Sequence, residues 1–171
     1  MPKFKLVAAL IFFIFFLNGA LSAENVRYVI DGDTFILQNN QRVRMIGINA
    51  PETSHHRYGK KGQPFGNQAR ERLRKFIEGK DVTLKDGREL FDRYGRRLAY
   101  VYLPDGTFVN REMVREGYAE TYRKFPFEYK NEFLELEQAA KQEKSGMWSG
   151  KPASWSAEFA GYLAALFGFE K

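Results

Sequence analysis

The chain has 171 residues, of which 44% are hydrophobic and 28% charged, and its formal net charge is +6. A chain of this length can bury the core of one domain without covalent cross-links. It contains no cysteine, which excludes both disulfides and thiolate metal sites.

Residues 1–23 have the pattern of an export signal. Two lysines precede an apolar run over residues 6–17, and small residues follow it up to Ala23. The run is shorter than the roughly 20 apolar residues that a membrane-spanning helix needs. We expect an exported protein, secreted or periplasmic, cleaved after Ala23 or, as second choice, after Ser22; an uncleaved signal that tethers the chain to a membrane is the alternative. Cleavage lowers the formal charge from +6 to +4, and a basic mature chain favours polyanionic partners without identifying one.

Three short strands are predicted in the first part of the mature chain. Val26, Tyr28 and Ile30 alternate with their neighbours, which is the period of a half-buried strand. The polar pair Asn39-Asn40 predicts a hairpin, and Pro51 ends the last strand because it has no N–H to donate. The predicted strands cover residues 25–30, 34–37 and 43–48, with a turn at residues 31–33.

A polar loop and a helix follow these strands. Residues 53–63 include His55-His56 and predict an exposed loop. Because the chain has only two histidines and no cysteine, a solvated loop is favoured over a transition-metal site there. Pro64 then precedes a helix whose apolar residues recur at helical spacing up to a cap at Gly79.

The second half of the chain predicts two more strands and two more helices. These are strands at residues 82–84 and 98–103, a short helix that Asn110 caps, and a long helix over residues 128–144. The whole pattern predicts one α+β domain over residues 24–149, a five-stranded closed β-barrel with three helices. The OB-fold is such a barrel and commonly binds nucleic acids, although strand content alone does not distinguish it from other small barrels.

The residues that carry chemistry concentrate between Val29 and Glu52. Asp31 and Asp33 share one tight turn, and Arg44 lies on the strand that leads to the loop of Glu52. Acids can hold a hard cation, an arginine can clamp an anion, and a further carboxylate can activate water. This combination suits hydrolysis of a phosphodiester, although the same turn also fits side chains that satisfy only their own backbone. We expect Asp31 to be mainly structural.

Five motifs along the chain are more specific than the strand pattern. In order they are VIDGDT, RVRMIGINAPE, DRYGRRLAYVY, REGYAETY and GMWS. Their wording, order and spacing resemble the staphylococcal nuclease (thermonuclease) family, and the similarity covers nearly the whole mature chain to about Ser149. The resemblance implies an OB-fold barrel with three helices. It also implies a calcium-dependent phosphodiesterase that cuts DNA and RNA, single- or double-stranded, with little sequence preference.

The resemblance assigns catalytic roles to three residues. Arg44 and Arg96 match the two catalytic arginines of the family, and Glu52 matches its catalytic carboxylate. An arginine presents a planar fork to phosphoryl oxygens, which a lysine cannot do bidentately. Glu52 would accept the proton of the attacking water or orient that water, and the sequence leaves both roles open. The alternative for each residue is an ordinary exposed side chain.

The resemblance also assigns a metal site. Asp33 matches a calcium ligand, Asn49 stands where the family usually has a second calcium-binding aspartate, and Ala50 where a threonine usually offers its backbone carbonyl. An amide keeps an oxygen ligand but removes one negative charge, and calcium affinity depends on the charge of the ligands. We therefore expect calcium as the cofactor, bound more weakly than by two aspartates.

Two tyrosines and the end of the chain complete the candidates. Tyr94 and Tyr122 are substrate-binding candidates that would stack on bases or hydrogen-bond a phosphate, with ordinary surface aromatics as the alternative. The tail at residues 150–171 departs from the family pattern, and its stretch over residues 159–169 is apolar nearly all round but too short to span a bilayer. It would pack on the domain, mediate association or bind a membrane surface weakly.

The sequence as a whole predicts an exported nuclease with DNA and RNA as partners and no protein partner. The alternative is a catalytically weak or inactive nucleic-acid-binding OB module, which Asn49 favours slightly and which Arg44, Glu52 and Arg96 oppose. A membrane-tethered interaction protein is a third interpretation, and it rests only on the two apolar ends of the chain.

Overall fold

The computed structural model describes residues 23–54 and 62–150. The predicted signal up to residue 22, His55-His56 and residues 151–171 of the predicted tail lie outside the described residues. The elements in chain order are β1 (Ala23–Asp31), β2 (Thr34–Leu37), β3 (Arg42–Met45), β4 (Ile48–Asn49), α1 (Gly66–Ile77), β5 (Asp81–Phe91), β6 (Arg97–Tyr102), α2 (Val109–Arg115), β7 (Glu120–Thr121), α3 (Lys130–Gln142) and a short 3-10 helix (Gly146–Ser149).

Five of the strands close into a barrel in the order β1-β2-β3-β6-β5. Strands β3 and β6 run parallel, and the other neighbours, including the closing pair β1 and β5, run antiparallel. Strands β4 and β7 form a separate antiparallel pair. This barrel with its three α-helices confirms the predicted α+β class, a five-stranded OB-fold barrel with three helices.

The barrel core follows from the alternation of side chains along the strands. Phe35 and Leu37 of β2 are buried, and so are Val43 and Met45 of β3. Helix α1 covers β1 with three fully buried residues at four-residue spacing, Ala69, Leu73 and Ile77. In the ranges that the structure describes, no helix is both long and apolar enough to cross a membrane.

The predicted third strand over residues 43–48 is wrong in one respect that matters for the site. The strand is interrupted at Ile46-Gly47, where Gly47 adopts a φ of 80°. Strand β3 therefore ends at Met45, and β4 begins at Ile48. A Cβ atom on Gly47 would lie 2.5 Å from the ring of Phe127, so that position also has no room for a side chain. The break moves Asn49 out of the barrel and onto the β4–β7 pair.

The predicted fourth strand at residues 82–84 is too short, because β5 continues to Phe91. Its second half pairs with β6 as a hairpin, with an irregular register between Asp86 and Phe91. Residues 88–91 of this half are all exposed, and their sequence does not alternate between apolar and polar residues as that of a half-buried strand does, so the pattern does not predict a strand there.

Asn110 does not cap a helix as predicted. It lies inside α2, which begins at Val109, and it is fully buried. Its side-chain oxygen accepts the Val101 N–H at 2.9 Å, and its amide group donates to the Ile46 carbonyl at 2.9 Å. A buried amide with both ends hydrogen-bonded here ties α2 to β6 and to the β3–β4 break.

Candidate active site

Asp33, Arg44 and Ala50 meet at one edge of the barrel. One carboxylate oxygen of Asp33 lies 3.1 Å from the Arg44 guanidinium and accepts the Ala50 N–H at 2.8 Å. The other oxygen accepts the Thr34 hydroxyl at 2.8 Å. Thr34 and Arg44 are direct partners in the β2–β3 register, which places Asp33 beside the arginine. Both charged side chains are largely buried, with exposed fractions of 9% and 14%, so folding sets their geometry.

Asp31 has the structural role that the turn pattern predicts. Its carboxylate accepts the backbone N–H of Thr53 at 3.2 Å and also the Thr53 hydroxyl. Between the two acids, a Cβ atom on Gly32 would lie 2.7 Å from the Cβ atoms of both Ala50 and Ala69. The turn, the loop of residues 50–53 and helix α1 therefore approach as closely as glycine allows.

Glu52 has a fixed backbone and an exposed side chain. Its N–H donates to the side-chain oxygen of Gln63 at 3.0 Å, and its carbonyl accepts the Gln63 N–H at 2.8 Å. Gly66, the first residue of α1, approaches so closely that a Cβ atom there would lie 2.1 Å from the Glu52 carbonyl oxygen. Helix α1 and Gln63 thus hold the backbone of Glu52, while the residue itself is exposed.

Arg96 is aimed by the turn between β5 and β6. Its guanidinium Nε and Nη2 lie 2.7 and 2.6 Å from one oxygen of Asp92, and the backbone N–H groups of Tyr94 and Arg96 donate to the other oxygen. Burial alone would raise the pKa of Asp92, but the hydrogen bonds from Arg96 and Tyr94 outweigh it and lower the pKa below its ordinary value. Asp92 therefore stays ionised and holds Arg96.

Arg44 and Arg96 reach the site from adjacent strands. In the parallel β3–β6 pair, Arg44 is the partner of Leu98, and Arg96 precedes Leu98 by two residues. Each arginine is held by its own aspartate, so neither needs the other for its position.

The two candidate tyrosines lie on different elements. Tyr94 is 66% exposed, and the guanidinium carbons of Arg93 and Arg96 lie 4.8 and 5.4 Å from its ring centroid, within the range of a cation–π contact. Tyr122 follows β7, donates its N–H to the Gly47 carbonyl at 2.8 Å and stacks on Phe125 at 5.9 Å. Tyr94 is therefore associated with Arg96, and Tyr122 with the β4–β7 pair.

The candidate metal ligands are all oxygen donors. They are the carboxylate of Asp33, the side-chain oxygen of the exposed Asn49 and the backbone carbonyl of Ala50. Oxygen donors fit a hard cation such as calcium rather than a transition metal. The set carries only one negative charge, and Arg44 lies against it. Among the residues that the structure describes, no group of three or more histidine, cysteine or acidic side chains could hold a metal ion.

Three residues that contact or face the candidate site residues were not identified from the sequence. Asp92 precedes Arg96 by four residues across a glycine turn, which is a signal that could have identified it. Gln63 and Glu120 carry no such signal, because their contacts join residues that are far apart in the chain. Only the folded structure places Gln63 against Glu52 and Glu120 opposite Asn49.

The barrel and its arginine-bearing edge define an OB-fold domain with a candidate anion-binding site. The family model for staphylococcal nuclease homologues matches residues 42–150. The chain belongs to this family, which confirms the resemblance that the motifs indicated.

Curated relatives agree with this assignment. A thermonuclease of Staphylococcus hyicus is 34% identical over 136 residues, covering 77% of this chain and 79% of the relative. A thermonuclease of Staphylococcus intermedius is 39% identical over 120 residues, covering 68% of each chain. A micrococcal nuclease of Shigella flexneri is 36% identical over 132 residues, covering 71% of this chain and 70% of the relative.

Proposed function

We propose that this protein is an exported, calcium-dependent nuclease that hydrolyses the phosphodiester bonds of DNA and RNA with little sequence preference. The observation that carries the proposal is the arrangement of Arg44, Arg96 and Glu52. Arg44 lies on β3 and Arg96 in the turn before the adjacent strand β6, and each is held by an aspartate. The exposed side chain of Glu52 extends from a fixed backbone close to Arg44 in the chain. The relatives named as nucleases support the same reaction class.

The arginines address the main obstacle to this reaction, which is charge. A phosphodiester repels nucleophiles because it is an anion, and its transition state gathers more negative charge. Arg44 and Arg96 would bind the phosphoryl oxygens through their forked N–H groups. Because their aspartates already orient them, little reorganisation is needed when charge develops.

Glu52 would act on the attacking water. Its carboxylate would accept the proton of that water or orient it by a hydrogen bond. The clamp by Gln63 and the close approach of Gly66 fix the backbone from which Glu52 extends. A fixed backbone limits the positions that the carboxylate can reach, as a positioned base requires.

Asp33, Asn49 and the Ala50 carbonyl would hold the calcium ion. When bound, calcium supplies positive charge that offsets the negative charge of the phosphate. Asp33 keeps its hydrogen bond from Ala50 in this role, because a carboxylate has several acceptor positions. The single negative charge of the set predicts weak affinity, and extracellular sites operate at about millimolar calcium.

Tyr94 and Tyr122 would bind the nucleic acid by stacking on its bases. Stacking tolerates every base, because every base has a π-face. This agrees with cleavage that depends little on sequence. The tail at residues 150–171 would at most add weak membrane contact, and export follows from the pattern of residues 1–23.

The second candidate function is a nucleic-acid-binding module without turnover. The observation that favours it is Asn49, which leaves the metal site with one carboxylate from the family positions. Both functions predict binding of nucleic acid, so only turnover distinguishes them.

The test is a cleavage assay on the purified chain. Denatured DNA, duplex DNA and RNA are offered with calcium, with magnesium and with a chelator. We expect cleavage of all three substrates with calcium and none with the chelator. DNA that is bound but remains intact at every calcium concentration would overturn the nuclease and establish the binding module.

A further inference from the structure

Glu120 lies directly opposite Asn49 in the antiparallel pair of β4 and β7. Directly opposite residues of an antiparallel pair point to the same face, with Cβ atoms about 4.5–5.5 Å apart. The other two residues of the pair, Ile48 and Thr121, are buried. Asn49 and Glu120 therefore point outward, on the same face of this small sheet.

The side chains of Asn49 and Glu120 are not held by hydrogen bonds or ion pairs to other described residues. Arg123, the nearest basic residue along the chain, donates instead to both oxygens of Glu137, at 2.8 and 2.9 Å. Two oxygen-bearing groups thus face each other with their acceptor positions available.

The pair is directly connected to the candidate calcium ligands. The peptide that joins Asn49 to Ala50 carries the N–H that donates to Asp33 at 2.8 Å. Ala50 also provides the candidate backbone carbonyl. The β4–β7 pair is therefore anchored to Asp33 by one hydrogen bond, and Glu120 lies across that pair from Asn49.

We propose that Glu120 is the second carboxylate of the calcium site. It replaces, from across the strand pair, the negative charge that Asn49 lacks at its own position. With Glu120 the donor set carries two negative charges, and calcium affinity rises with that number. This inference rests on the proposed calcium dependence, because it assigns a further ligand to the same site.

The test is a calorimetric calcium titration of the purified full chain and of four variants. Glu120→Gln should weaken calcium binding by about tenfold or more, because removing even a group that only supports a metal ligand commonly costs about 10–100-fold in affinity. Glu135→Gln is the matched control, because it removes the same charge from an exposed position on α3. Asn49→Asp should strengthen binding, and adding it to Glu120→Gln should restore the wild-type affinity.

The outcomes separate this inference from the proposed function. Wild-type binding that Glu120→Gln changes no more than Glu135→Gln does would overturn the role of Glu120 alone. A wild-type chain that binds no calcium would overturn the calcium dependence and, with it, the role of Glu120. Melting temperatures without calcium should be nearly the same in Glu120→Gln and wild type, because in the described part of the chain Glu120 makes no hydrogen bond or ion pair and interacts with Arg123 only by charge attraction.

Discussion

Two arginine–aspartate pairs contribute to the site, and they differ in how they are built. Arg44 and Asp33 are largely buried, and Asp33 also binds the backbone of Ala50. Arg96 and Asp92 lie in a hairpin turn, and Asp92 otherwise binds only the backbone of that turn. The same chemical pair thus joins several elements at the edge of the barrel in one case and belongs to a single turn in the other.

The difference predicts how each pair tolerates change. Asp33 joins an arginine, a loop and the candidate metal site, so its loss would disturb several elements together. Asp92 acts on Arg96 and its own turn, so its loss would release one arginine and leave the barrel intact. The following predictions distinguish residues that act on the substrate from residues that position or stabilise other side chains.

Glu52→Gln should have the largest effect on activity. It removes a carboxylate to which we assign a chemical role, while the backbone contacts of the residue remain. Loss of a general base typically costs about 10²–10⁴ in rate, so the cleavage rate of denatured DNA should fall within that range. Glu135→Gln, an exposed acid on α3, is the matched control and should keep the wild-type rate. Equal rates for Glu52→Gln and wild type would remove Glu52 from the mechanism.

Arg44→Lys and Arg96→Lys should each lower the cleavage rate by about 10²–10³, because a lysine keeps the positive charge but lacks the forked N–H groups of arginine.

Asp92→Asn tests the comparison of the two arginine–aspartate pairs more sharply. This variant should lower the rate by about tenfold, since Arg96 remains but loses its orientation, and it should not change calcium binding. A loss of calcium binding in Asp92→Asn would show that the Arg96–Asp92 pair is not independent of the candidate metal site.

Glu137 is a third acid that holds basic side chains, and its role is structural. Burial would raise its pKa, but hydrogen bonds from Arg123, Lys141 and the Thr121 N–H lower it to about 2, against an ordinary value of 4.5. The charged form therefore stabilises the fold above about pH 4.5, and this contribution is lost as the pH falls from 4.5 towards 2.

Glu137→Gln should lower the free energy of unfolding at pH 7 by about 2–3 kcal/mol, since hydrogen bonds to a charged group are lost. Unfolding in denaturant at several pH values checks this. The stability of the variant should also depend less on pH between 4.5 and 2 than that of the wild type. A variant with wild-type stability and an unchanged acid dependence would contradict the structural role.

Gln63→Leu should have the smallest of these effects on cleavage, a fall of less than about tenfold in kcat with KM nearly unchanged, because it loosens the backbone of Glu52 without touching substrate. Gln63→Glu keeps the oxygen that accepts the Glu52 N–H and should recover most of the rate. A purely structural role would instead lower the melting temperature and leave kcat of the folded fraction intact. That result would remove Gln63 as a positioning residue.

The sequence predicted what depends on local pattern. Alternating apolar residues predicted most of the barrel strands, and helical spacing predicted α1 and its buried face. In β1, however, an irregular register buries Val26 and Val29 and leaves Tyr28 47% exposed. Adjacent chain segments also placed Asp33 and Arg44 near each other, because a hairpin pairs β2 with β3. These predictions succeed because the interactions concerned join residues that are close together in the chain.

The sequence could not predict what depends on distant contacts. The break at Gly47 follows from the packing of Phe127, 80 residues away along the chain, and it decides that Asn49 faces Glu120. Asn110 looked like a helix cap, but its buried contacts with Val101 and Ile46 are tertiary. Local signals do not report such contacts, so the β4–β7 side of the site emerged only from the structure.

The central proposal is that the protein cleaves nucleic acid, and that Glu52 takes part in the cleavage reaction rather than in substrate binding. Its most direct test measures DNA binding and cleavage together for the wild type and Glu52→Gln, with calcium raised from a chelated solution to saturation. We predict that both proteins bind denatured DNA with similar affinity, and that only the wild type cleaves it, in proportion to bound calcium. Wild-type protein that binds DNA and never cleaves it at any calcium concentration would contradict the claim.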